Sequence, residues 1–173
     1  LTDEFRQDLP PHLKPRATVI ANTVPNADRL AQPGDTSSGT KTLLCVARLV
    51  PRKNIRTLIS AFAAVEADVD ESWVLQIVGY GSLLDSLRAH ADTLGIGDKV
   101  RFEGRQEQPY RFYEKAHLVA LPSFAEGLPL VPMEAMAHGL PCIGFSDCSG
   151  IPILIEDGVT GLHVDRDDQV ESL

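Results

Sequence analysis

From residue 42 onward, short apolar runs alternate with longer segments whose apolar residues recur at helical spacing, and this alternation constrains the fold most. The predicted strands are Thr42–Ala47, Trp73–Val78, Val100–Glu103, Leu118–Leu121, Pro141–Phe145 and Leu162–Val164. Each is short and rich in apolar residues, as strands buried on both faces should be. Between the first two, Ile55, Leu58, Ile59, Phe62 and Val65 mark one buried helix face, with Asn54 as the expected N-cap. Ser82-Leu-Leu-Asp85 has the form of a capping box opening a helix through Leu94, which Gly95 ends in left-handed conformation. Tyr110–Ala116 reads as a shorter helix, and another starts near Pro129 and stops at His138-Gly139. The alternation predicts an α/β fold: a Rossmann-like, doubly wound parallel sheet with helices on both faces.

Residues 1–41 read as a connector with one possible short strand at Ala17–Ala21, and 42–173 as the folded, ligand-binding domain. The sequence stops at Gln169-Val-Glu-Ser-Leu173 as a further helix begins, so the chain reads as an excised, C-terminally truncated piece. A hydrophobic fraction of 43% is enough for a sizeable core, and no apolar run approaches the ~20 residues that span a bilayer. No signal segment opens the sequence, so a cytoplasmic location is expected. A net charge of −8 argues against nonspecific nucleic-acid binding, and any anionic ligand must meet a local basic cluster. Cys45, Cys142 and Cys148 lack C-x-x-C spacing and read as reduced thiols, neither a disulfide framework nor a zinc site.

In an open parallel sheet, ligands bind at the carboxyl ends of the strands. Arg48 directly follows the first strand, and Lys53 precedes the next helix, with Arg52 beside it. Both cations can project into one crevice and neutralise a pyrophosphate, or the loop is simply solvated. Gly79-Tyr-Gly81 follows the second strand and either admits a ligand to the backbone or forms a plain turn.

Glu126 and Glu134 flank the start of the helix near Pro129. Pro129 and Pro132 have no N–H, which leaves Gly127, Leu128, Leu130 and Val131 as donors to a bound phosphate or sugar oxygen. A carboxylate accepts two hydrogen bonds from a vicinal diol, so Glu134 suits a ribose and Glu126 a second sugar. The alternative is that both acids merely stabilise the helix N-terminus. Asp68-Val-Asp70 and Asp165-Arg-Asp167 read as a polar turn and a helix cap, and no histidine has a partner at catalytic or metal spacing.

Val46-Ala-Arg48-Leu-Val-Pro-Arg-Lys53-Asn, Val78-Gly-Tyr-Gly81, Phe102-Glu-Gly104, Glu126-x7-Glu134 with Glu-Ala-Met-Ala-His-Gly-Leu-Pro141, and Asp157-Gly-Val-Thr-Gly161-Leu-His-Val164 stand in one order. Together they resemble the nucleotide-sugar-binding C-terminal half of retaining GT-B glycosyltransferases of family 4, from about Ala17 to the C-terminus. The resemblance implies that Arg48 and Lys53 meet the donor diphosphate, Glu134 the ribose and Glu126 the transferred sugar. Arg48, Lys53 and Glu126 are then the catalytic candidates. Gly81 and the amides of Gly127, Leu128, Leu130 and Val131 would line the donor, with backbone near Arg105 and Gln106 at the base.

The resemblance further implies hexose transfer with retention, without a metal or other cofactor, from a nucleoside-diphosphate sugar to a glycan or lipid-linked acceptor. UDP is favoured over GDP or ADP as the nucleotide. The expected partners are the donor and an N-terminal acceptor-binding domain of the same protein; a peripheral membrane association is possible for the intact enzyme. The chain alone is expected to bind donor without efficient transfer. Pro129 stands where many members have glycine, and Ile153 where many carry an acid. The alternatives are a noncatalytic sugar-nucleotide-binding module and a GT-B sugar-nucleotide epimerase.

Overall fold

The structure, a computed structural model, describes residues 6–32 and 39–166. Six strands, β1 (Lys41–Val46), β2 (Trp73–Val78), β3 (Val100–Gly104), β4 (Leu118–Leu121), β5 (Cys142–Phe145) and β6 (Gly161–Val164), form one sheet. Its order is β3-β2-β1-β4-β5-β6, and every pairing is parallel. The helices are α1 (Ile55–Glu66), α2 (Leu84–Thr93), α3 (Tyr110–Tyr113), α4 (Leu130–Ala137) and α5 (Ile151–Leu154). The predicted α/β Rossmann-like sheet is therefore present, with each strand within one residue of its expected bounds.

Successive β1 side chains feed opposite layers, as the two-residue strand period requires. Cys45 packs with Leu75, Ile77, Leu58, Ile59, Phe62 and Leu87 beneath α1 and α2. Leu44 enters the other layer with Val119, Phe145, Tyr113, Ala135 and Ile151, under α3, α4 and α5. Fully burying one such leucine or phenylalanine contributes about 1.5–3 kcal/mol. The central strands are thus anchored on both faces, and the loops at their carboxyl ends stand on a rigid base.

The helix entrances differ from the sequence expectation. Asn54 does precede α1, but at φ 51 and ψ 31 it is left-handed, and its side chain makes no capping bond. Its Oδ1 instead accepts the Thr57 hydroxyl at 2.8 Å. The preceding 3₁₀ turn, Pro51–Lys53, has to be closed before α1 can start, and asparagine tolerates the left-handed turn this needs. The Ser82 capping box does not form. Helix α2 opens later, at Leu84, with Leu83 rather than Ser82 as its N-cap, and the Leu83 N–H donates to the Leu49 carbonyl at 3.1 Å. Gly95 and Gly139 end their helices at φ +75 and +74, as expected.

Residues 17–21 form no strand, and Ile20 is 77% exposed. Residues 22–32 instead lie along the domain through individual hydrogen bonds. Asn22 Nδ2 donates to the Leu128 carbonyl at 2.7 Å, the Ala31 N–H to His138 O at 2.8 Å, and the Gln32 N–H to Glu114 O at 3.2 Å. Helix α3 is also shorter than predicted, and α5 was not anticipated. The helix expected near Gln169, and Asp167, lie outside the described residues.

All three thiols are buried. Burial pushes Cys45 and Cys142 up from 9.0 to about 12, and Cys148 up as well, because a thiolate loses its hydration there. The folded chain is expected to resist a thiol-titrating disulfide reagent at pH 8, whereas the urea-unfolded chain titrates three thiols. The raised values also favour the folded state below pH 9. That contribution is lost as pH rises from 9 toward 12, so urea melts should show stability falling over that window.

Candidate functional site

The strand order reverses between β1 and β4, because β1 continues to β2 on one side and β4 to β5 on the other. A crevice opens at such a point, flanked here by the loops after β1 and β4. Two contacts join these loops. The Phe124 N–H donates to the Arg52 carbonyl at 3.0 Å, and the Lys53 ammonium pairs with Glu126. Only 14% of the Lys53 side chain and 9% of Glu126 is exposed, so the pair is largely withdrawn from water.

The Glu126 loop rests on the loop after β5. Ser149 Oγ donates to the Glu126 carbonyl at 2.9 Å, and Gly150 lies so close that a Cβ there would stand 2.1 Å from Gly127 O. Arg166, just past β6, donates to Phe124 O at 3.1 Å and to Asp147 at 2.6 Å. Its guanidinium also lies 5.1 Å from the Phe124 ring and 5.2 Å from that of Phe145. Sequence reasoning missed Arg166, although a cation at the carboxyl end of a strand was the signal to look for. Asp165 of the same stretch accepts the Ser146 hydroxyl at 2.7 Å.

Helix α4 begins behind this loop with Pro129 at its N-cap and no capping side chain. The amides of Gly127 and Leu128 have no hydrogen-bond partner among the described residues. Those of Leu130 and Val131 belong to the first turn, where no intrahelical acceptor exists. Neither acid acts as a cap: Glu126 turns to Lys53, and Glu134, inside α4, accepts the Tyr113 hydroxyl at 2.7 Å. Burial, reinforced by the Glu134 charge, drives the Tyr113 phenol upward in pKa and keeps it the donor.

On the other side of β1, Arg48 lines a cavity of about 310 Å³ with Val78, Tyr80, Arg105, Gln106 and Pro109. The Arg105 guanidinium lies 5.3 Å from the Tyr80 ring centroid. The Gln106 side chain is engaged at both ends: its Nε2 donates to Glu103 O and its Oε1 accepts from Arg111. Arg48 lines this cavity, whereas the Lys53 ammonium is paired with Glu126. Gly81 is required by the chain itself, since a Cβ there would stand 2.3 Å from the Leu49 carbonyl oxygen.

Residues 27–173 match the family model described as glycosyl transferases group 1. The chain belongs to that family. Among curated members, it is 34% identical to the D-inositol 3-phosphate glycosyltransferase of Corynebacterium glutamicum, over 95% of this chain and 44% of that protein. It is 35% identical to an exopolysaccharide phosphotransferase of Streptomyces coelicolor, over 100% of this chain but 18% of the other. The lipopolysaccharide outer core galactosyltransferase WaaB superposes with a TM-score of 0.76 at 27% identity, covering 90% of this chain and 44% of WaaB. The pneumococcal O-GlcNAc transferase GtfA, solved with UDP and GlcNAc, gives 0.69 at 29% identity, covering 82% and 29%. The chain thus spans less than half of each of these relatives, and its fold is that of the C-terminal-type domain of GT-B glycosyltransferases.

Proposed function

We propose that this chain is the donor-binding domain of a retaining, metal-independent glycosyltransferase that moves a hexose from a nucleoside-diphosphate sugar, with UDP as the favoured nucleotide. The observation that carries the reading is the largely buried Lys53–Glu126 pair across the β1/β4 crevice, beside the amides of Gly127 and Leu128, which have no hydrogen-bond partner among the described residues. A preorganised cation and amide cluster stabilises charge as it develops on a departing diphosphate. In this reading Lys53, with Arg48 from the adjoining cavity, receives the diphosphate; Glu126 orients the transferred sugar; and Glu134 holds the ribose. The UDP in GtfA supports the choice of nucleotide.

The 310 Å³ cavity is the place for the base, bounded by the Arg105–Tyr80 pair and read through main-chain groups at Arg105 and Gln106. The acceptor is assigned to an N-terminal domain of the same protein, and without it a half-cleft neither positions an acceptor nor excludes water. The three reduced thiols favour a cytoplasmic enzyme.

Calorimetric titration of the chain with UDP, GDP and ADP tests the reading. UDP is expected to bind tightest, and Arg48→Ala to weaken it about tenfold through loss of one charge-assisted contact. Absence of binding by all three, or full affinity in Arg48→Ala, would overturn the assignment.

A further inference from the structure

The Glu134 carboxylate is not left to choose its own orientation. It is reached from α3 by Tyr113, whose side chain is fully buried and whose hydroxyl lies 2.7 Å from Oε2. Tyr113 is in turn held by the ring of His138, stacked on it at 5.4 Å between centroids and 12° between planes. His138 is latched on two sides: its Nδ1 bonds the Arg29 carbonyl at 2.8 Å, and its own carbonyl accepts the Ala31 N–H. A chain of fixed groups therefore ends on one oxygen of one carboxylate.

We propose that Tyr113 is a positioning residue for donor recognition, its phenol fixing Glu134 in the orientation that receives two vicinal ribose hydroxyls. The inference rests on the reading of Glu134 as the ribose acceptor. One phenol bond occupies a single lone-pair site of Oε2 and leaves Oε1 open, so the carboxylate keeps the capacity a diol requires. Glutamate is a flexible side chain, and a carboxylate must be held close to its productive geometry for two hydrogen bonds to form together. The phenol retains its proton at neutral pH, so it remains a donor to this carboxylate. Outer groups that hydrogen-bond a liganding carboxylate orient it in this way at metal centres, and the same physics applies to a diol.

The test compares binding of UDP with binding of 2′,3′-dideoxy-UDP, which lacks both hydroxyls, to the wild-type chain and to Tyr113→Phe and Glu134→Ala. GDP or ADP and its dideoxy analogue replace this pair if either binds more tightly. The wild type is expected to prefer the intact ribose by about tenfold or more, and Glu134→Ala to abolish that preference. Tyr113→Phe is expected to cut the preference at least about threefold while the dideoxy nucleotide binds as before. Equal weakening of both nucleotides, or an unchanged ratio, would overturn the role of Tyr113 while leaving Glu134 in place. Preference for the intact ribose that persists in Glu134→Ala, or is absent from the wild type, would overturn the ribose reading and this inference with it, as would failure of all three nucleotides to bind.

If Tyr113→Phe does not fold, the phenolic 13Cζ resonance of Tyr113 in the wild-type chain supplies the readout. It is expected to shift when the intact nucleotide binds and to stay in place with the dideoxy analogue. The same response to both would overturn the proposal.

Discussion

Lys53→Ala is expected to weaken UDP binding roughly 100-fold, by removing a cation from a largely dehydrated site and leaving Glu126 without its partner. Breaking a buried pair by deleting one member costs about 3–5 kcal/mol, because the surviving charge stays desolvated. For a chain of this size that corresponds to a melting temperature lower by roughly 6 °C or more. Glu126→Gln introduced into Lys53→Ala separates the two effects. The neutral amide removes the stranded charge, so the melting temperature is expected to recover in part while UDP affinity stays low. Calorimetry beside thermal melts checks both. Recovery of binding in the double variant would show that Lys53 serves the fold alone.

Gly150→Ala is expected to displace the Glu126–Pro129 loop and lower UDP affinity at least about tenfold. An added Cβ would stand 2.1 Å from Gly127 O and 2.7 Å from Pro129 Cδ, and a backbone oxygen cannot swing aside as a side chain does. The strain destabilises the fold by about 1–3 kcal/mol, but the loss of binding should exceed what that destabilisation explains. Gly95→Ala is the control. It sits at φ +75 with open space around it, so it is strained at the end of α2 yet touches no loop of the crevice. It is expected to melt lower and to bind UDP normally. Equal loss of binding in both variants would contradict a specific role for the Gly150 contact.

The sheet was legible because burial on both faces leaves a signal in every strand residue. Trp73–Val78 and Leu118–Leu121 were read to the residue, and Thr42–Ala47 missed by one. Caps were not legible, because they depend on what else reaches the same backbone. Asn54 was placed correctly before α1, yet a left-handed turn aims its side chain at Thr57. The Ser82 box failed: Leu83 takes the N-cap place of α2, and its amide is tied to the Leu49 carbonyl, 34 positions away in sequence. Ala17–Ala21 carried an apolar run that stays outside the sheet, joining neither of its outer strands, β3 and β6.

The candidate site divided the same way. Topology places everything after a strand at one edge of the sheet, so Arg48 and Lys53 were picked out by position and Glu126 by its place before a helix start, whereas Arg105 and Gln106 came only from the family resemblance. Their partners could not be found in either way. That Glu126 pairs with Lys53, that Gln106 is occupied by Glu103 and Arg111, and that Tyr113 reaches Glu134 are matters of side-chain direction across helices and loops. Nor could the sequence show that Gly81 also permits the close approach of the Leu49 carbonyl.

The Lys53–Glu126 contact joins positions 73 residues apart, and it also sets the order in which the protein can be built. During synthesis β1, β2 and β3 leave the ribosome before β4 does, so one wall of the crevice must wait for its counterpart. Closing so long a loop is slow compared with forming either wall. The Lys53–Glu126 pair therefore cannot form until both walls of the crevice have been made.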